Sequence, residues 1–186
     1  MFVLGVDPGL SRCGYAVVEA LGRGKARPVA LGVIRTSPSD AVPVRLAELQ
    51  TEIVSLLDDY RPVVVAVERI FFQNNVRTAV GVAQASGIVL AQAAGRGTAV
   101  VEYSPTAVKS VVAGDGRAEK AQIQTMVQLL LDLPAPPKPA DAADAAALAL
   151  CHLAHDPSLR RTVAGGVAGT IDAAVGRGSD RLGAGR

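Results

Sequence analysis

The chain has 186 residues, of which 49% are hydrophobic and 3% aromatic: enough apolar material for one well-buried core, and too little length for two comfortable domains. No apolar run approaches the roughly 20 residues that span a membrane, and the N-terminus lacks the basic segment and cleavage site of a signal peptide, so a cytoplasmic protein is expected. The net charge of +2 arises from residues 156–186, where five arginines face three aspartates; residues 1–155 are neutral, so a phosphate-binding surface here requires bases and acids to be segregated onto different faces.

In chain order, Phe2-Val3-Leu4 is a short apolar run that reads as a strand, and it leads into Gly5-Val6-Asp7-Pro8-Gly9. Proline lacks a ladder donor and glycine permits a sharp turn, so the strand stops with Asp7 at its last position. A carboxylate so close to the interior either hydrogen-bonds turn amides or is paired with something positive, a metal ion being one solution. Tyr15 to Glu19 and Val29 to Ile34 read as the next two strands of a meander, with the Gly/Arg/Pro stretch between them as the connection. Asp40 is placed to cap a helix whose Leu46, Leu49, Ile53 and Leu56 recur at helical spacing, and Pro43 fits only its first turn.

Pro62 to Glu68 is an uninterrupted apolar run of the kind buried on both faces of a parallel or mixed sheet, and it too ends on a carboxylate. A helix over Val76 to Ala94 carries a stripe of Val76, Val80, Ala83, Gly87 and Leu90, and Thr98 to Glu102 is a fifth strand. Ser104-Pro105 is a helix-start signal, Gly114-Asp115-Gly116 a break, and Glu119 to Leu131 the most regular helix, with Ile123, Met126, Val127, Leu130 and Leu131 on one side. The proline-rich stretch from Pro134 to Pro139 is a stiff loop before an alanine-dominated helix in which Asp141, Asp144 and Leu148 share a face. Cys13 and Cys151 lie far apart without a partner spacing and read as reduced, packed thiols. His152 and His155, one turn apart, have a spacing that can bind metal, but a place near the helix end favours a helix-terminal role. Residues beyond about Thr162 have little apolar periodicity and are expected to form a tail without fixed structure.

The pattern gives an α/β fold: a mixed five-stranded sheet flanked by helices, occupying residues 1–155, with residues 156–186 as a Gly/Ala/Arg tail. If the first and fourth strands are adjacent, Asp7 and Glu68 lie side by side, and the Asp141/Asp144 helix can bring further acids to the same sheet end. Taken singly, an Asp at a helix start is more often a cap than a ligand. Four converging acids stay ionised only if cations neutralise them. All-oxygen ligation suits Mg²⁺ or Mn²⁺, and two such ions about 4 Å apart activate a water and stabilise the leaving oxygen in phosphodiester hydrolysis. That reading makes the chain a nuclease.

Gly5-Val6-Asp7-Pro8-Gly9 with Arg12-Cys13-Gly14, Val67-Glu68-Arg69-Ile70-Phe71, Gly116 through Gln122 and Pro139 through Leu148 occur in this order, and together they resemble the RuvC-type Holliday junction resolvases over roughly residues 2–153. The resemblance implies a ribonuclease H-like fold, a homodimer and Mg²⁺-dependent paired nicking of four-way DNA junctions, with two ions per site and Mn²⁺ able to substitute. It also implies cooperation with a RuvA/RuvB-type branch-migration complex. By motif, Asp7, Glu68, Asp141 and Asp144 become the metal-binding acids. Phe71 matches an aromatic that wedges between bases at the junction; its alternative is a core or dimer-contact residue, and Phe72 could take either role. Lys109 and Lys120 match lysines near the DNA backbone, Lys120 alternatively stabilising charge at the cleaved phosphate, and each could equally be a surface lysine. Arg69 and Arg77 flank the wedge and could hold phosphates or be solvated. The Gly/Ala-rich tail departs from the more basic ending of many relatives. Two rival readings are an actin-like ATP-binding domain, against which the length argues, and a non-catalytic junction-binding protein in which the acids are caps and turn residues.

Overall fold

The computed structural model describes residues 1–22, 24–70 and 76–155, with side chains of 76–78 excepted. The expected tail, residues 156–186, lies outside them. Strand β1 (Phe2–Asp7), β2 (Arg12–Gly22) and β3 (Lys25–Arg35) form an antiparallel meander. Helix α1 (Val42–Tyr60), strand β4 (Val64–Glu68), α2 (Val76–Gly95) and β5 (Ala99–Tyr103) follow, then α3 (Pro105–Ala113), α4 (Lys120–Leu130) and α5 (Ala140–His155). The sheet order is β3-β2-β1-β4-β5, with β4 parallel to both β1 and β5. β1 and β4 are therefore neighbours whose carboxyl ends fall on the same edge.

Side chains alternate across the pleat. Leu4, Val6, Val17, Val65 and Val67 pack with Leu49 and Ile53 of α1 and Val89 of α2. Val3, Ala16, Val18 and Ala66 pack on the opposite face with α3, α4 and α5. Helix α5 is buried almost all round, Ala142, Ala143 and every residue from Ala145 to Cys151 being sequestered, because it is sandwiched between the sheet and α3/α4. Alanine both favours helix and lets that helix approach closely. Among the described residues no helix is long and apolar enough to cross a membrane.

Several local expectations shift. The second and third strands are longer than the patterned cores suggested: Lys25 to Pro28 belong to β3 rather than to the connection, and Gly22 and Gly24 are both at positive φ. β3 is an edge strand, where Pro28 costs no ladder bond on its open side. Asp40 does not cap α1: the N-cap is Ala41, without a side-chain cap, and Asp40 instead donates its backbone N–H to Ser37 in a preceding turn. The buried line of α1 is Arg45, Leu49, Ile53 and Leu57, one residue off the predicted stripe at each end. In α2 the buried residues are Ala85, Ser86, Val89 and Ala93, whereas Val80 is 52% exposed, since a helix rich in small residues on all sides carries little periodic signal. Leu130 of α4 is likewise turned out at 46% exposure, while Ile123, Val127 and Leu131 face the core.

The two histidines engage different partners. Tyr103 Oη and His152 Nδ1 share a hydrogen bond of 2.9 Å, and burial pushes the phenol up to about 12, so it keeps its proton at neutral pH. His155 Nδ1 lies 2.7 Å from the Cys151 carbonyl, to which it donates, satisfying an acceptor near the helix end. Tyr103→Phe is expected to cost about 1 kcal/mol, read as a melting temperature lower by about 2–4 °C; an unchanged melting curve would mean the bond contributes nothing. Cys13 and Cys151 are buried and reduced, the Cys13 thiol raised to about 12 by burial.

Candidate active site

Asp7 and Glu68 end their strands on the same face. In β1, Val3 and Gly5 turn toward α5, so by the two-residue period Asp7 does as well; in β4, Ala66 and then Glu68 follow the same rule. The parallel register pairs Val6 with Val67, which sets the next residues, Asp7 and Glu68, abreast.

Helix α5 reaches this place because two glycines let it. A Cβ on Gly5 would lie 2.0 Å from the Ala145 carbonyl oxygen, and one on Gly14 would lie 2.1 Å from that of Asp141. Both contacts are with helix backbone, which cannot swing aside. Gly14 is the cross-strand partner of Asp7, so the start of α5 rests directly beside the end of β1. Asp141 and Asp144, three apart and hence on one helix face, are thereby delivered to the same corner.

Electrostatics register the convergence. Burial, and then the charges of Glu68, Asp144 and Asp141, push the Asp7 carboxyl up to about 7, with Lys120 opposing. Glu68 is also raised, by burial first and Asp144 second. Two cations answer the acids. Arg12 Nε donates to Asp141 Oδ2 at 3.0 Å and its terminal nitrogen contacts the same oxygen; despite burial, these hydrogen bonds hold Asp141 below the usual carboxylate range. Lys120 Nζ lies 2.6 Å from Asp144 Oδ2, and that bond raises the ammonium above its ordinary value.

Among the described residues no three acid, histidine or cysteine side chains close around a single point; Asp141 and Asp144 are paired with Arg12 and Lys120. The donor set nevertheless suits a hard divalent cation: carboxylate oxygens only, including Asp7, raised to about 7 by burial and acidic neighbours, whose ionised form a neighbouring positive charge would favour. A cleft of about 360 Å³ opens beside them, lined by Asp7, Pro8, Glu68, Arg69, Ile70 and Pro105 among others.

Of the remaining predicted residues, Arg69 is exposed on the cleft wall, and its backbone N–H extends the β4–β5 pairing by donating to the Tyr103 carbonyl at 2.8 Å. Lys109 is half-buried on α3, one turn beyond Pro105. Phe71 and Phe72 lie outside the described residues; Arg77 falls in α2, but its side chain is not among those described. Arg12 had no assigned role from sequence, although it sits inside the first motif. No local signal named its partner: the acid nearest to it on the chain is Asp7, whereas the acid it meets, Asp141, is 129 residues away.

A family model described as "Crossover junction endodeoxyribonuclease RuvC" matches residues 3–152. The chain is 51% identical over 161 residues to the crossover junction endodeoxyribonuclease RuvC of Streptomyces avermitilis, covering 87% of this chain and 92% of that protein. It is 52% identical to the same-named protein of Parafrankia, covering 87% and 90% respectively. Among solved structures, Thermus thermophilus RuvC superposes with a TM-score of 0.78 at 38% identity, covering 83% of this chain and 95% of that one. The structure titled "T. thermophilus RuvC in complex with Holliday junction substrate" also gives 0.78, at 35% identity, covering 88% and 96%.

Proposed function

Because the chain belongs to the RuvC family of crossover junction endodeoxyribonucleases, we propose that it resolves four-way DNA junctions by metal-dependent hydrolysis at the Asp7, Glu68, Asp141 and Asp144 corner. The observation that carries this reading is that Asp7 of β1 feels the charges of Glu68 from β4 and of Asp144 and Asp141 from α5 at one sheet end, with Lys120 and Arg12 paired to the last two. The family likeness favours this reading over an actin-like nucleotide site.

Two Mg²⁺ ions, replaceable by Mn²⁺, would supply an activated water and neutralise charge on the phosphate as the bond breaks. The chain's part is to hold the ligands still. Asp7 and Glu68 are fixed by strand backbone, and Asp141 and Asp144 by a helix locked onto glycine. Water attacks phosphorus in line, the 3′ oxygen leaves as a hydroxyl and the 5′ side keeps the phosphate. Lys120, within reach of Asp144, is positioned to meet charge building on that phosphate. Arg69 on the cleft wall and Lys109 on α3 suit the DNA backbone, as does Arg77, and Phe71 or Phe72 is the candidate wedge between junction bases.

A two-fold dimer matches two sites to a nearly two-fold junction, so strands of like polarity are cut at corresponding positions. A RuvA/RuvB-type complex is the expected partner, and the cytoplasm the expected place. A synthetic four-way junction incubated with the protein tests the reading: paired, ligatable nicks are expected with Mg²⁺ and none after chelation by EDTA. Cleavage undiminished by EDTA, or tight junction binding without nicking in both Mg²⁺ and Mn²⁺, would overturn it.

A further inference from the structure

Arg45 is 8% exposed and lies on the core-facing line of α1, a position otherwise filled by Leu49, Ile53 and Leu57. Burying a guanidinium is costly unless it is paired. None of the ion pairs among the described residues involves it; they engage Arg12, Arg27, Arg96 and Lys120. Arg45 is satisfied by hydroxyls instead. Its Nε donates to Thr36 Oγ1 at 2.9 Å, and a terminal nitrogen donates to Ser11 Oγ at 2.5 Å.

Both acceptors lead to one segment. Thr36, itself 6% exposed, donates its hydroxyl to the Leu10 carbonyl at 2.6 Å, and its backbone N–H points to the Ser11 carbonyl at 3.4 Å. Residues 8–11 form the turn that joins Asp7 to Arg12, the base holding Asp141. The turn is tight: a Cβ on Gly9 would lie 2.2 Å from the Arg12 carbonyl oxygen. Arg45 and Thr36 thus grip this turn from α1 and from the end of β3, with the forked donor reaching two elements at once. An apolar residue at Arg45 would fill the core at lower cost but would leave the turn held by Thr36 alone.

We propose that Arg45 is a positioning residue for junction cleavage: through Thr36 and Ser11 it fixes the turn between Asp7 and Arg12, and so the relative placement of Asp7 and Asp141. The inference rests on the proposed nuclease reading. A displacement near 1 Å at a reacting centre can cost about a hundredfold in rate, so loss of the grip is read in the cleavage step rather than in DNA affinity.

The test compares wild type with Arg45→Met, Ser11→Ala, Thr36→Val and Thr36→Ser, each verified as folded by circular dichroism. Single-turnover cleavage of a synthetic four-way junction in Mg²⁺ is measured alongside junction affinity in Ca²⁺. Arg45→Met is expected to lower the cleavage rate 10- to 100-fold with affinity within about twofold of wild type. Thr36→Val should lose rate in the same way, and Thr36→Ser, which keeps the hydroxyl, should restore it. A wild-type rate in folded Arg45→Met overturns the proposal. So does a rate loss matched by an equal loss of affinity, which would make Arg45 a DNA contact. Should Arg45→Met fail to fold, Ser11→Ala, an exposed substitution, and the Thr36 pair decide the question on the same readouts. An inactive wild type would instead strike the nuclease reading itself.

Discussion

Asp7→Asn is expected to abolish junction cleavage, by about a thousandfold or more, while making the metal-free protein more stable at pH 8. Both effects have one cause. The Asp7 carboxyl is raised from 3.8 to about 7 by burial and by Glu68, Asp144 and Asp141. An acid whose folded value lies above its unfolded value binds its proton more tightly when folded. Its contribution to stability is therefore full below about pH 4 and lost as pH rises through 7. The shift corresponds to at most about 4 kcal/mol, and solvent screening at this partly open corner reduces the expected gain to about 2 kcal/mol, or about 4–8 °C in melting temperature. Asparagine removes the penalty and, with it, the anion that would hold a cation. Thermal melts from pH 5 to pH 8 in EDTA, repeated in Mg²⁺, separate the cases: wild type should lose more stability on the alkaline side than the variant, in which Glu68 stays raised, and should recover it with Mg²⁺ by mass action, whereas the variant should gain little from Mg²⁺. Undiminished cleavage, or parallel pH profiles for the two proteins, would remove Asp7 from the cation site.

Gly5→Ala is expected to be the most disruptive single methyl in the sheet. The added Cβ would meet the Ala145 carbonyl oxygen at 2.0 Å and the Ala149 nitrogen at 2.9 Å, both helix backbone. Relief requires the whole of α5 to retreat from β1. Overpacking of this kind costs about 3 kcal/mol, or about 6–12 °C in melting temperature, and the retreat carries Asp141 and Asp144 away from Asp7 and Glu68. Cleavage should fall about a hundredfold even below the melting range. Gly87→Ala is the control: nothing lies within 4 Å of its Cβ, and replacing a helix-interior glycine should not lower stability. Equal melting temperatures for Gly5→Ala and wild type would show that α5 is not held by that contact.

Much of the frame was legible before any coordinates. Ser104 caps α3 with its hydroxyl accepting from Ala107 at 3.2 Å, as Ser-Pro signals. The helix expected over Glu119 to Leu131 forms as α4, and the apolar runs of β1 and β4 end on the carboxylates expected of them. These features depend on neighbours in the chain, where caps, proline stops and alternation act over a few residues. The side of α2 that faces the sheet was misread because alanine, glycine and valine surround it evenly. Arg45 was passed over because a charged residue is ordinarily assigned to solvent; only the hydroxyls of Ser11 and Thr36 show why it is inside.

The sequence by itself determined the kinds of groups available: four acids at element ends, bases within the same motifs, glycines where the chain turns or draws close. Which acid meets which base was decided by tertiary structure alone. Arg12 and Asp141 are 129 residues apart, and Lys120 and Asp144 belong to different helices. They meet because Gly5 and Gly14 lack side chains and α5 consequently lies against β1 and β2, a close backbone contact that no local pattern of residues encodes.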